Sequence, residues 1–359
     1  MDGSFPLSET LADASAQAKA CGLRYVNDRR PGFTRRRYGK RFVYFDTRGE
    51  RIEDEKARGR IDRLAIPPAW KDVWICPFAN GHIQATGTDA RGRKQYRYHT
   101  EWRSVRDATK FGHILRFGEV LPRIRAAVRA DMGRRTLSRE KVLATVVYLL
   151  EKTLIRVGND EYARTNKSYG LTTLKDEHVS VEGQSVRFRF TGKSGKAWNL
   201  KLTDRRAAAV IRRLQDLGEQ ELFAWVDADG RVHDVTSSDV NAYLKEISGE
   251  AVTAKDFRTF TGTVLAALAL QAFDAFETQT QAKRNLKAAI EDVARRLGNT
   301  PAVCRKGYVH PEVINAYLDG ALSAQIVDII DSELSAASEL DPDEVMVLAF
   351  LKKRLSVQA

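Results

Sequence analysis

The sequence predicts an α+β fold. A small β-rich N-terminal domain, residues 1–100, precedes a mainly α-helical domain, residues 101–359, which carries a three-stranded antiparallel sheet with a β-hairpin within residues 171–202. Three observations predict it. Between Arg29 and Tyr98 the pattern is short, aromatic and β-branched, broken by Gly and Pro. From Glu101 onward apolar residues recur at helical spacing. Within the helical part, VRFRFTG alternates Val186, Phe188 and Phe190 with Arg187 and Arg189, the period of a half-buried strand.

Taken in order, residues 1–27 read as a poorly ordered arm followed by a short segment. KRFVYFDTRGERI reads as a hairpin around a Thr47-Arg48-Gly49 turn. LAIPPAW breaks any helix at Pro67 and Pro68. VWICP and HIQATGTDARGRKQYRYH read as two further strands, with Asp89 to Gly92 as the turn. The helical spacing that follows is interrupted near Gly118 and Pro122. Ser138 is placed as an N-cap, with Glu140 favoured by the helix dipole. The apolar run Val142 to Ile155 predicts a helix that stops at Gly158, which puts Arg156 in its last turn. A GKSGK turn then puts Lys193 at a hairpin tip. In NLKAAIEDVARRLG, Leu286, Ala289, Ile290, Val293 and Leu297 share one face, Gly298 is a natural stop and Pro301 prevents continuation. VMVLAFLKKRL, near the end, has helical spacing suited to packing on the helical domain.

The chain has 359 residues, 43% hydrophobic and 30% charged, which fits an ordered globular protein and excludes a disordered one. The formal net charge is +12. Residues 1–100 carry 20 Lys/Arg against 12 Asp/Glu, whereas residues 311–359 carry 3 against 9, so the positive excess lies ahead of residue 311. Such a split suits a polyanionic partner. Three scattered cysteines and no CxxC pair fit a reducing cytoplasm and no zinc site. There is no apolar leader, and no apolar run approaches the ~18 residues of a membrane span. The expectation is a cytoplasmic protein associated with DNA and with no membrane role.

Chemistry is sought in LGNTPAVCRKGY, which ends at Tyr308, and in the separate contexts of Arg156, Lys193 and Arg258. A phenol with a pKa near ~10 is a poor nucleophile at neutral pH. Its attack on a phosphodiester builds negative charge on the non-bridging oxygens, which guanidinium groups match bidentately. Preorganised donors of this sort lower a barrier by ~3–4 kcal/mol each. A lysine at a flexible tip can protonate the leaving oxygen. Singly, each residue has a plain alternative. Arg156 can be a helix-end arginine, Lys193 a solvated lysine, Arg258 structural and Asn299 a turn residue, and Tyr308 is one of 11 tyrosines.

The joint order of these segments resembles the type IB DNA topoisomerases, the small poxvirus and bacterial kind. The resemblance covers almost the whole chain: LAIPPAW, VWICP and HIQATGTDARGRKQYRYH, then LIRVGN, YGLTTLKDEHV, FTGKSGK, KDFRTF and LGNTPAVCRKGY. It implies the catalytic fold shared by tyrosine recombinases and type IB topoisomerases. It implies that Tyr308 is the nucleophile of a 3′-phosphotyrosyl link, that Arg156 and Arg258 bind the scissile phosphate, and that Lys193 is the general acid. Asn299 stands where the poxvirus enzymes have histidine; it can donate a hydrogen bond but cannot shuttle a proton. Gln95, Tyr96 and Tyr98 match DNA-contacting positions. The resemblance further implies a monomer that clamps double-stranded DNA and relaxes supercoils of both signs by cleavage, strand rotation and religation. One phosphodiester replaces another, so no ATP, metal or other cofactor is implied. GKS at Gly192–Ser194 lacks the first P-loop glycine, since Arg187 stands there. A tyrosine recombinase is the nearest rival, but that family usually has histidine three residues before its second arginine, where this chain has Lys255. A non-enzymatic basic DNA-binding protein leaves the ordered set of Arg156, Lys193, Arg258 and Tyr308 without an account.

Overall fold

The computed structural model describes residues 11–356 apart from 40, 91, 219, 274 and 324–338. The chain divides into two compact units, Met1–Lys110 and Phe111–Ala359.

In the first unit, helix α1 (Leu11–Ala20) buries Ala14 and Ala18 against Leu23 and Trp102. This helix stands where the sequence suggested an arm; residues 1–10 lie outside the described residues. Strands β1 (Phe33–Tyr38), β2 (Arg41–Phe45), β3 (Lys71–Ile75), β4 (Ile83–Thr88) and β5 (Lys94–Tyr98) form one antiparallel sheet in the order β2-β1-β3-β4-β5. The Thr47–Gly49 turn exists, tied by Asp46, whose carboxylate accepts from Arg48 N and Glu50 N. Its return is a single bridge, Phe45 to Arg51, and the main partner of β2 is β1, which the expected hairpin missed. The reason is composition: FTRRRY is strongly basic, and its strand character comes from pairing on both sides. Two expected strands after LAIPPAW become three, with β4 and β5 closed at Asp89, whose N–H donates to Arg93 O. Arg91, within that turn, lies outside the described residues. Helix α2 (Glu55–Arg63) interrupts the β-like stretch; Asp54 caps it by accepting from Ala57 N at 2.7 Å, and Ile61 enters a small core with Ile66, Val73, Ile75 and Ala85.

Helix α3 (Thr100–Met132) is one continuous helix of 33 residues. It was expected to break near Gly118 and Pro122, and it does not. Phe117, Leu121, Ile124 and Val128 are buried on its inner face; burying them outweighs the ~3 kcal/mol cost of a helical proline. Gly118 serves contact: a Cβ there would lie 2.4 Å from Leu348.

The second unit continues with α4 (Arg139–Thr153), α5 (Asp160–Asn166) and the sheet β6 (Val179–Glu182), β7 (Ser185–Gly192) and β8 (Lys196–Thr203), antiparallel in that order. Then come α6 (Arg205–Gln215), a two-strand ladder of β9 (Ala224–Val226) and β10 (Val232–Asp234), and helices α7 (Ser237–Ser248), α8 (Ala254–Gln271), α9 (Gln279–Leu297), α10 (Pro301–Gly307), α11 (Pro311–Leu318) and α12 (Pro342–Ser356). Ser138 caps α4 and Gly298 ends α9 in the left-handed region (φ 63°), both as expected. Pro301, beyond that cap, starts α10 at its first position. One large core joins α3, α4, the sheet and α6 to α12. Helix α12 docks on α8 and α11, with Arg354 to Glu312 at 3.0 Å and Arg125 of α3 to Glu344 at 2.8 Å. The acidic residues within 324–338 lie outside the described part. No helix among the described residues is long and apolar enough to cross a membrane.

Candidate active site

Tyr308 is the C-cap of α10, and its N–H donates to Cys304 O at 2.9 Å. Helix α8 seats it from behind. Thr263 Oγ1 donates to Tyr308 O at 3.3 Å and accepts from His310 N at 3.1 Å, which pins the chain on both sides of Val309. Gly262 lets the helix come this close. A Cβ there would lie 2.6 Å from Tyr308 O and 3.1 Å from Tyr308 Cβ. G262A is therefore expected to push Tyr308 out of place, at a cost of about 1–3 kcal/mol in stability. Because a shift of about 1 Å can cost 10²-fold in rate, DNA cleavage should fall on that scale while DNA binding persists. Single-turnover cleavage beside a gel-shift titration checks this, and cleavage at the unmodified rate would refute it.

Arg258 is one turn before Gly262 on the same face of α8. It is 3% exposed. Its guanidinium donates to Leu154 O and, at 2.6 Å, to Leu297 O, and its central carbon lies 5.0 Å from the centre of the Tyr308 ring. Burial pushes its pKa down to about 10, so it stays charged at neutral pH. The carbonyls that aim it are both helix ends, Leu154 after α4 and Leu297 at the end of α9, where backbone acceptors lack helical partners.

Arg156 was expected in the last turn of α4. The helix instead ends at Thr153, because Leu154 takes the left-handed conformation (φ 57°) and closes on Leu150 O. Arg156 follows in the next segment, fixed by backbone pairing: Leu171 N donates to Arg156 O and Thr172 N to Val157 O. Gly170 permits this, since its Cβ would lie 2.6 Å from Arg156 O. The Arg156 guanidinium donates to Asn299 Oδ1. Asn299 follows the Gly298 turn, and its own N–H donates to Ala294 O at 2.8 Å. The Asn299 Nδ2 atom is buried and has no hydrogen-bond partner among the described residues.

Arg156, Arg258, Asn299 and Tyr308 thus form one cluster drawn from four segments. Burial pushes the Tyr308 phenol up. The positive charges of Arg258 and Arg156, a hydrogen bond from Arg258 and the charge of Lys255 outweigh it, and the net pKa lies below the ordinary tyrosine range. Lys193 is exposed at the tip of the β7–β8 hairpin, its ammonium 5.8 Å from the ring centre of Tyr162. Sequence reasoning missed Gly262 and Thr263. The available signal was a pair of small residues one turn beyond Arg258 in FRTFTGT.

In the first unit, the three candidate DNA-contacting residues lie on β5, split between its faces by strand alternation. Gln95 sits on one face, largely buried, with Nε2 donating to Asp89 Oδ2 at 3.1 Å. On the other face Tyr96 and Tyr98 stack at 5.8 Å, with the Lys94 ammonium 5.6 Å from the Tyr96 ring centre.

Residues 99–327 match the family model described as the catalytic core of eukaryotic DNA topoisomerase I, and residues 41–89 match the N-terminal domain of bacterial DNA topoisomerase IB. The DNA topoisomerase 1B of Acanthamoeba polyphaga mimivirus is 32% identical over 293 residues, covering 80% of this chain and 87% of the viral protein. The chain belongs to the type IB DNA topoisomerase family. The DNA topoisomerase 1B of vaccinia virus (strain Copenhagen) is 21% identical, over 74% of this chain and 84% of the viral protein. The plant enzyme of Daucus carota, DNA topoisomerase 1, is 28% identical over 39% of this chain and 17% of its own length. Membership makes the chain an enzyme that acts on DNA, and the cluster around Tyr308 lies wholly within the matched core.

Proposed function

We propose that this topoisomerase relaxes positive and negative supercoils through a 3′-phosphotyrosyl intermediate at Tyr308, without ATP or a required metal. The observation that carries the reading is the convergence of Arg258 and Arg156 on a phenol whose pKa they lower. In the forward step the Tyr308 oxygen attacks phosphorus and its proton passes to water. The bond to the 5′-oxygen breaks, and that oxygen leaves with the proton of the Lys193 ammonium. Arg156 and Arg258 hold the non-bridging oxygens as their charge grows. The partnerless Asn299 Nδ2 is a further donor for one of them. Reversal by the freed 5′-hydroxyl after strand rotation restores the duplex, because the two ester bonds are close in energy.

The basic N-terminal domain, through Gln95, Tyr96 and Tyr98, would hold double-stranded DNA together with the helical domain, residues 101–359, as a monomeric clamp at the nucleoid. Phosphate contacts dominate such binding. Supercoiled plasmid of either sign is expected to be relaxed in the presence of a chelator and without ATP. A strict need for magnesium or ATP in that gel assay would remove this mechanism.

A further inference from the structure

We propose that Trp198 is a positioning residue that locks the Lys193 hairpin to the turn carrying Asn299; the proposal rests on Lys193 acting as general acid. Trp198 lies on β8 opposite Phe190 of β7, and their rings stack at 5.9 Å with planes 5° apart. Its indole touches two glycines with different edges. A Cβ on Gly192 would lie 2.7 Å from Trp198 Nε1, and a Cβ on Gly298 would lie 2.6 Å from Trp198 Cζ2. Gly192 immediately precedes Lys193, and Gly298 immediately precedes Asn299. One rigid ring therefore spans the gap between the residue before the proposed acid and the residue before the amide beside Arg156.

The backbone sharpens the case. Gly298 has φ 63°, a conformation that favours glycine on its own account. Gly192 has φ −95° and ψ −169°, extended backbone open to any residue. Nothing but the indole contact requires glycine there. Trp198 is partly exposed, whereas Phe190 beneath it is buried. The hairpin tip itself is exposed, with Ser194 and Gly195 in the left-handed region. A lysine on such a tip reaches one point reproducibly only if the base of the hairpin is held, and Trp198 is the side chain that holds it to the Asn299 turn.

The experiment compares two substrates in single-turnover cleavage. One has the ordinary 5′-oxygen at the scissile bond. The other has sulfur in that bridging position, so the group leaves as a thiolate and needs no proton. W198A is expected to cleave the oxygen substrate about 10²-fold more slowly, the scale of a small misplacement of a reacting group. On the sulfur substrate it should regain the unmodified rate, and W198F should lie between. K193A is the control for the underlying reading. If sulfur does not rescue K193A, Lys193 is not the acid, and the reading and this proposal fall together. If sulfur rescues K193A and W198A stays slow on both substrates, or W198A is not slowed on either, the positioning role alone is overturned.

Discussion

Y308F is expected to abolish the covalent DNA adduct while leaving duplex binding largely intact. The substitution removes one oxygen and keeps the ring. The ring retains its place beside Arg258, whose guanidinium carbon lies 5.0 Å from its centre, and the seat formed by Thr263 and Gly262 touches the Tyr308 backbone and Cβ, not the hydroxyl. A volume-conserving change of this kind usually costs less than ~1.5 kcal/mol, so the variant should fold and bind. What it lacks is the oxygen proposed to join phosphorus, and Arg156, Arg258 and Asn299 around it offer nitrogen donors in its place. Denaturing gels after incubation with end-labelled duplex, beside a gel-shift titration, measure the two properties separately. An adduct that survives in Y308F would move the nucleophile elsewhere.

R258A is expected to have the second-largest effect, and on two observables at once. Loss of one preorganised donor to the developing oxyanion lowers cleavage by about 10²–10³-fold. The same change strands two buried carbonyls, Leu154 O and Leu297 O, which now receive the guanidinium. Each unsatisfied group costs roughly 1–3 kcal/mol, so thermal stability should drop as well. The pH dependence separates chemistry from folding. Arg258 is the foremost of the charges that hold the Tyr308 pKa down. A lower phenol pKa brings the rising limb of cleavage to lower pH, so removing Arg258 must move that limb to higher pH. R258K keeps a charge but loses the planar fork, and should fall between in rate. A rate profile that does not move in R258A would mean that Arg258 supports the fold and not the phenol.

The local setting of most candidate residues is legible in short strings. IRVG, TGK, DFRT and GNTP each sit at a helix end, a hairpin tip or a capped turn, and local rules place such features well. Gly298 ends α9 where the sequence said it would, and Lys193 lies on its tip. The failures share a cause. Apolar spacing that continues to Ile155 places Arg156 inside α4; the helix stops earlier, where residues 156 and 157 pair with 171 and 172. Local propensity predicts an interruption of helix α3 near Gly118 and Pro122, yet burial of its inner face keeps it whole. Strand β1 was missed because FTRRRY has little apolar alternation and becomes a strand by having partners on both sides.

By itself the sequence determined the kinds of groups available and the local frames that carry them: a phenol after a basic stretch, two arginines, an amide in place of an imidazole, and a lysine on a turn. Those depend on residue type and on contacts a few positions apart. Only the tertiary structure decided that Arg156, Arg258, Asn299 and Tyr308 meet, that Gly262 admits Tyr308 to the wall of α8, and that Trp198 ties the hairpin to the Asn299 turn. The physical reason is that these contacts join residues as far as 45 and 143 positions apart. Their geometry is set by close packing and by helix ends that need partners, and a local mark such as a glycine does not say which distant segment answers it.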